Sequence, residues 1–142
     1  MAVNTDWQKI KVKRISPSKL KKVLENENVY ILDVRPLNFK KNTSFIEGSF
    51  LLPLLFLTDR YQEIPRDRPI VITDWAMKQS PVAAKFLTSK GYRVLGVLRG
   101  GLERWESEHL PVEKRQPTKQ IGPLSNSDPA AAPAIFLKRF EG

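Results

Sequence analysis

Apolar and polar positions along this chain keep changing rhythm, and each rhythm predicts an element. From Trp7 to Val12 they alternate, which predicts a short strand. Ser16-Pro17 reads as an N-cap followed by proline at the first helical position. Leu20, Val23 and Leu24 then supply the buried side of a short helix ending near Asn26 to Asn28. Val29-Tyr30-Ile31-Leu32 is an unbroken apolar run, as expected of a central strand covered on both faces. It delivers Asp33 and Arg35 at its carboxyl end, and Pro36 stops the pairing. Leu37 to Ser49 reads as irregular, with a helical turn around Leu37 to Lys41. Phe50-Leu51-Leu52 is a short apolar segment before Pro53, and Leu54 to Gln62 reads as a helix with Leu54, Leu55 and Leu57 inward. After a turn at Pro65-Arg66-Asp67-Arg68, Pro69 to Thr73 is the clearest buried strand, and Asp74 to Gln79 is a loop. Ser80-Pro81 repeats the cap signature and opens a helix through Lys90, with Val82, Ala83, Phe86 and Leu87 on one side. Gly91 suits a C-cap. Tyr92 to Leu98 is the last strand, Gly100-Gly101 turns into a helix from Leu102 to Glu108, and Leu110-Pro111-Val112 closes the unit.

Strands and helices in alternation, joined by short connections, predict an α/β domain with a largely parallel sheet. Ligands of such sheets bind outside the carboxyl ends of the strands. Two of those ends carry chemistry here: Asp33 to Arg35, and the loop from Asp74 to Ser80. The domain is drawn over residues 1–112. Residues 113–142 change character, with Pro117, Pro123, Pro129, Pro133 and the run Ala130 to Ala132, and read as a Pro/Ala-rich tail. The tail ends in an amphipathic knot, Ile135-Phe136-Leu137-Lys138-Arg139-Phe140. It is expected to fold back onto its own domain or onto a neighbour, which would include a homodimer formed through the tail. A docking peptide or a foot on a membrane surface is the rival reading. No internal repeat is visible.

Composition narrows the function classes. The 142 residues suit one domain, since domains commonly run about 100–150 residues. There is no cysteine, so disulfides, thiolate metal sites, iron–sulfur clusters and a cysteine nucleophile are all excluded from this chain. His109, the sole histidine, lies beyond the last helix and reads as a surface or capping residue, so no metal or cofactor is expected. The net charge is +9, and residues 1–28 carry seven Lys and Arg against three acids. Those lysines alternate with apolar Ile10 and Val12 and then flank Leu20, Val23 and Leu24, which reads as a solvated face, with no specific nucleic-acid site. A basic rim still favours anionic partners. No segment has the length of a signal peptide's apolar core or a membrane span, so the expected compartment is the cytoplasm.

Taken together, Ile31-Leu32-Asp33-Val34-Arg35-Pro36, Phe45-Ile46-Glu47-Gly48-Ser49, a strand–loop–Ser80 helix, Leu98-Arg99-Gly100-Gly101-Leu102-Glu103-Arg104-Trp105 and Leu110-Pro111-Val112 resemble a single-domain rhodanese over residues 14–112. The resemblance implies a three-layer sandwich: a mainly parallel central sheet of about five strands flanked by helices. It also implies the site of a sulfurtransferase. In active members a cysteine at the end of the central strand sits in a cup made by loop N–H groups and a helix N-terminus. The cup stabilises the thiolate and the persulfide that carries the sulfur.

At that position this sequence has Asp74. Gln79 replaces the basic residue that often precedes the helix-capping serine, Trp75-Ala76-Met77-Lys78 replaces a run that often holds a glycine, and Phe45 replaces the histidine of the glycine turn. The loop from Asp74 to Ser80 keeps the length usual for rhodaneses. A carboxylate can occupy the cup and accept the loop N–H bonds, but it cannot carry a transferable sulfur.

The first functional reading is therefore a catalytically inactive module that binds, scaffolds or regulates a protein partner. Its candidate surface is the former active-site loop, Asp74, Trp75, Ala76, Met77, Lys78, Gln79 and Ser80, with Asp33 and Arg35 beside it. Trp75 and Met77 either contact the partner or simply pack over the loop. The alternative is a receptor for a small anion, using Lys78 and Arg35. Asp74 argues against it, and Arg35 is expected to pair with Asp33. A third reading makes Asp74 a nucleophile for phosphoryl transfer, which would need a metal ion and further acids, and only Asp33 is a plausible neighbour.

Overall fold

The computed structural model describes residues 6–37, 43–115 and 121–125. A 3-10 turn at Asp6–Lys9 precedes β1 (Arg14–Ile15), α1 (Pro17–Asn26), β2 (Tyr30–Asp33), β3 (Ser44–Ile46), β4 (Phe50–Leu51) and α2 (Leu54–Arg60). After a second 3-10 turn come β5 (Ile70–Thr73), α3 (Ser80–Ser89), β6 (Val94–Leu98), α4 (Gly101–Ser107) and β7 (Val112–Lys114). Five strands form one sheet in the order β1-β6-β5-β2-β4, every pairing parallel, while β3 and β7 form a separate antiparallel ribbon.

The unbroken apolar runs behave as two-faced strands. Along β2 and β5, Tyr30, Leu32, Ile70 and Ile72 pack toward α2 and α3, joining Leu57, Ala83, Ala84 and Leu87. The intervening Ile31 and Val71 pack on the other side with Leu20 of α1 and with Leu102 and Trp105 of α4. Successive side chains of a strand point to opposite faces, so a strand with helices on both sides is apolar along its length, and in β2 and β5 the polar residues, Asp33 and Thr73, come only at the carboxyl ends. The result is the expected three-layer α/β sandwich, with the ends of β2 and β5 side by side: Asp33 aligns with Thr73.

Helix α1 starts as expected, with Lys19 N–H donating to Ser16 Oγ at 3.2 Å and proline in its first turn. Other expectations need correction. Trp7 to Val12 is not a strand. The first part is the 3-10 turn, where Trp7 meets Phe86 of α3 edge-on at 5.8 Å, and pairing begins only where Val97 N–H reaches Lys13 O at 2.9 Å. Leu37 to Ser49 contains β3, and the helical turn expected around Leu37 to Lys41 falls mostly on residues 38–42, outside the described residues. Leu55 points outward at 81% exposure, and Val82 is 44% exposed, because α2 and α3 each bury a narrower stripe than their apolar content suggests. In α3 the capping position is Gln79, with no side-chain cap, and Ser80 is already the first helical residue.

Beyond residue 112, β7 continues to Lys114, and Leu124 lies buried in the α2/α3 side of the core, where Tyr30 Oη–H donates to its carbonyl. The knot at 135–140 lies outside the described residues.

Candidate functional site

Strand β5 ends at Thr73, and the next residue is Asp74, 3% exposed. Four groups of the following loop converge on its carboxylate. Met77 N–H donates to Oδ1 at 2.6 Å, and Gln79 N–H and Ser80 N–H donate to Oδ2 at 2.5 and 3.1 Å. Ser80 Oγ adds a contact to Oδ1 at 3.3 Å. Convergence depends on Met77, which adopts a left-handed φ of 64° and so turns the chain back toward the end of β5. Gln79 and Ser80 carry amides that the first turn of a helix leaves without intrahelical partners. Asp74, six residues upstream, supplies the acceptor that the sequence assigns to Ser80.

The outer side of the loop is fastened to α4. Leu102 N–H donates to Asp74 O at 2.8 Å, Glu103 N–H to Trp75 O at 3.0 Å, and Gly100 N–H to Met77 Sδ at 3.1 Å. Gly101 makes this contact, at φ 65°: a Cβ there would stand 2.4 Å from Trp75 O and 2.6 Å from Asp74 O. The Gly100-Gly101 pair is legible in sequence as a helix start, but its grip on the loop is not, because the two segments lie far apart in the chain. Around the buried carboxylate, Ala76, Met77 and Gln79 are half-buried, whereas Trp75 (38% exposed) and Lys78 face outward. Met77 packs against the core.

Asp33 and Arg35 lie at the same end of the sheet but form a separate unit. Arg35 Nε donates to both Asp33 oxygens at 3.1 Å, Nη2 to Oδ2 at 2.8 Å, and the Arg35 backbone N–H to Oδ1 at 3.1 Å. Nη2 also reaches Ser44 O at 2.9 Å, and the guanidinium lies 4.7 Å from the centre of the Phe45 ring. Burial pushes the Asp33 carboxyl up from the usual range, and the Arg35 guanidinium opposes that rise. Both side chains are buried, and among the described residues no hydrogen bond joins Asp74 to either. The expected Asp33–Arg35 pair is present, and it ties the end of β2 to β3. His109 is exposed and ends α4 with a φ of 60°, its N–H donating to Glu106 O. The described residues contain no grouping of three or more His, Asp or Glu suited to a metal ion, and no helix among them is long and apolar enough to cross a membrane.

A parallel sheet whose middle strand runs into a short loop of inward-facing N–H groups, closed by a helix N-terminus, defines an α/β domain built to hold negative charge at one point. The comparisons with known proteins agree with that architecture. Residues 16–108 match the rhodanese-like domain, and the chain belongs to that family. A protein of Allochromatium vinosum named sulfurtransferase is 33% identical over 99 residues, 68% of this chain and 90% of that one. A rhodanese-related protein from Thermoplasma volcanium superposes with a TM-score of 0.64 at 24% identity, over 71% of this chain and 97% of that chain. A rhodanese-like domain protein from Staphylococcus aureus gives 0.63 at 24%, over 73% and 99%. At that identity the two structures speak for the fold alone. The family's cysteine position is held here by Asp74, in a chain with no cysteine.

Proposed function

We propose that this chain is a rhodanese-fold module that carries out no persulfide chemistry and acts in the cytoplasm by binding a protein partner, in a scaffolding or regulatory role. The observation that carries this reading is the Asp74 carboxylate lying in the cup, bonded to the N–H groups of Met77, Gln79 and Ser80. Sulfur transfer needs a soft atom that can bond to and release a second sulfur, and a carboxylate oxygen does neither. The same bonds disfavour the alternative, a small-anion receptor. An incoming anion would meet donors already engaged and a carboxylate of like charge.

What remains free is the rim. Among the described residues the exposed large apolar side chains are Leu55, Trp75 and Val82. All three leave the carboxyl end of the sheet, on the first turns of α2 and α3 and on the loop between β5 and α3. Exposed Trp75 gives this rim the aromatic character of a protein-binding surface, and exposed Lys78 lies between it and Val82 in sequence. The test is affinity capture from the native cell with wild type and with a Trp75→Ala/Lys78→Ala variant. A protein recovered by wild type and lost with the variant supports the reading, and equal recovery removes the loop from the binding surface.

A further inference from the structure

The basic residues near the N-terminus, Lys9, Lys11, Lys13, Arg14, Lys19, Lys21 and Lys22, are all exposed, and three of them border a groove. The segment from Lys9 to Arg14 runs from the 3-10 turn to β1 and leaves an open groove of about 480 Å³ between itself and α3. Lys9, Lys11 and Arg14 stand on one bank, all exposed, and Lys85 of α3 faces them from the other. Between the banks the groove is apolar: Ile10, Val12 and Pro81 are half-buried and line it, above Val97, the register partner of Arg14. The groove is held open by fixed elements. At one end Trp7 meets Phe86 of α3, and at the other the Val97 N–H bond to Lys13 O anchors the segment to the sheet. None of the four cations has an ion-pair partner among the described residues, although Arg60, Arg68, Arg104 and Arg115 elsewhere do.

We infer that this groove binds an extended, acidic peptide segment of a partner protein, one in which acidic side chains alternate with apolar ones. Four cations with no ion-pair partner among the described residues, set around an apolar strip, are complementary to that pattern. Acidic side chains meet the banks, and the residues between them cover the exposed parts of Ile10, Val12 and Pro81. A single-stranded nucleic acid fits less well, because base stacking needs a ring face and no aromatic residue lines the groove among the described residues. This inference shares with the preceding reading the premise that the chain works by binding, but none of its residues. Variants of Asp74 or Trp75 therefore test one, and variants of Lys85 test the other.

The experiment is fluorescence anisotropy of a labelled peptide of alternating Glu and Leu with the full chain and three charge-reversal variants. Lys85→Glu and Lys11→Glu alter opposite banks, and Lys22→Glu makes the same charge change on exposed α1. Lys85→Glu and Lys11→Glu are expected to weaken binding at least about tenfold, and Lys22→Glu less than about threefold. An all-Glu peptide of equal charge is expected to bind more weakly than the alternating one. Thermal melts show that each variant is folded, and the two banks serve as independent probes should one substitution unfold the chain. Equal losses in Lys22→Glu and the groove variants would reduce the effect to net charge and overturn the inference. So would tighter binding of a single-stranded oligonucleotide of the same charge, or no binding of the peptide to wild type.

Discussion

Truncating Asp74 to alanine removes the acceptor for three backbone N–H groups and the Ser80 hydroxyl. Each buried donor left without a partner costs about 1–3 kcal/mol, and water entering the emptied cup recovers part of that. A net loss of about 3 kcal/mol is the reasonable sum, equivalent to roughly 10 °C in Tm for a domain of this size. The emptied cup is then an anion site, with the same three N–H groups and the N-terminal end of α3 pointing into it. Sulfate or thiosulfate at about 100 times its Kd would return about 2.7 kcal/mol, most of the loss. The assay is a thermal melt of wild type and Asp74→Ala in sodium sulfate and in sodium chloride at matched ionic strength. Sulfate stabilises folded proteins generally by exclusion from their surface, so the quantity that matters is the extra shift in the variant over wild type. An Asp74→Ala variant that melts within about 2 °C of wild type, or gains no more from sulfate than wild type does, refutes the filled cup.

Other substitutions test the frame around it. Gly101→Ala places a Cβ against the Asp74 and Trp75 carbonyls at a positive φ, and is expected to cost more than about 2 kcal/mol in urea unfolding while raising amide exchange in the loop. Arg35→Leu strands the buried Asp33 carboxyl and is expected to cost about 3–5 kcal/mol, whereas the double variant Asp33→Leu/Arg35→Leu is expected to be more stable than the single one. Burial raises the Tyr30 hydroxyl above its ordinary value. A raised folded-state pKa leaves stability intact below the unfolded value, near 10, and takes it away above, by about 1.4 kcal/mol per pH unit. Tyr30→Phe is therefore expected to be less stable than wild type at neutral pH by about 1 kcal/mol, having lost the bond to Leu124, and to overtake it by about pH 11 in urea melts.

The parts of the fold legible in the sequence are those whose signal is local. Val29 to Leu32 and Ile70 to Ile72 announce two-faced strands by lacking any polar position, and Ser16-Pro17 announces a helix start that Lys19 N–H completes. Elements that depend on a distant partner were hidden. β3 has only three residues, and its partner β7 lies at the edge of the segment read as a tail, so neither shows a strand's alternation alone. At Trp7 to Val12 only Ile10-Lys11-Val12 alternates, and it follows the 3-10 turn at Asp6–Lys9, in which Trp7 and Ile10 stand three residues apart as in a helix. At the site, Asp74 and its loop are visible from the order of motifs. The capping of α3 by Asp74 in place of Ser80, and the clasp of Gly100 to Glu103 on the loop, depend on three-dimensional proximity that no spacing encodes.

The most direct measurement is thiocyanate formation from thiosulfate and cyanide by the purified wild-type chain. The expected result is a rate equal to the uncatalysed background, the same for wild type and for Asp74→Ala. Turnover above background that disappears with Asp74→Ala would contradict it, because sulfur transfer would then run through a carboxylate that the structure shows fully engaged by its own loop.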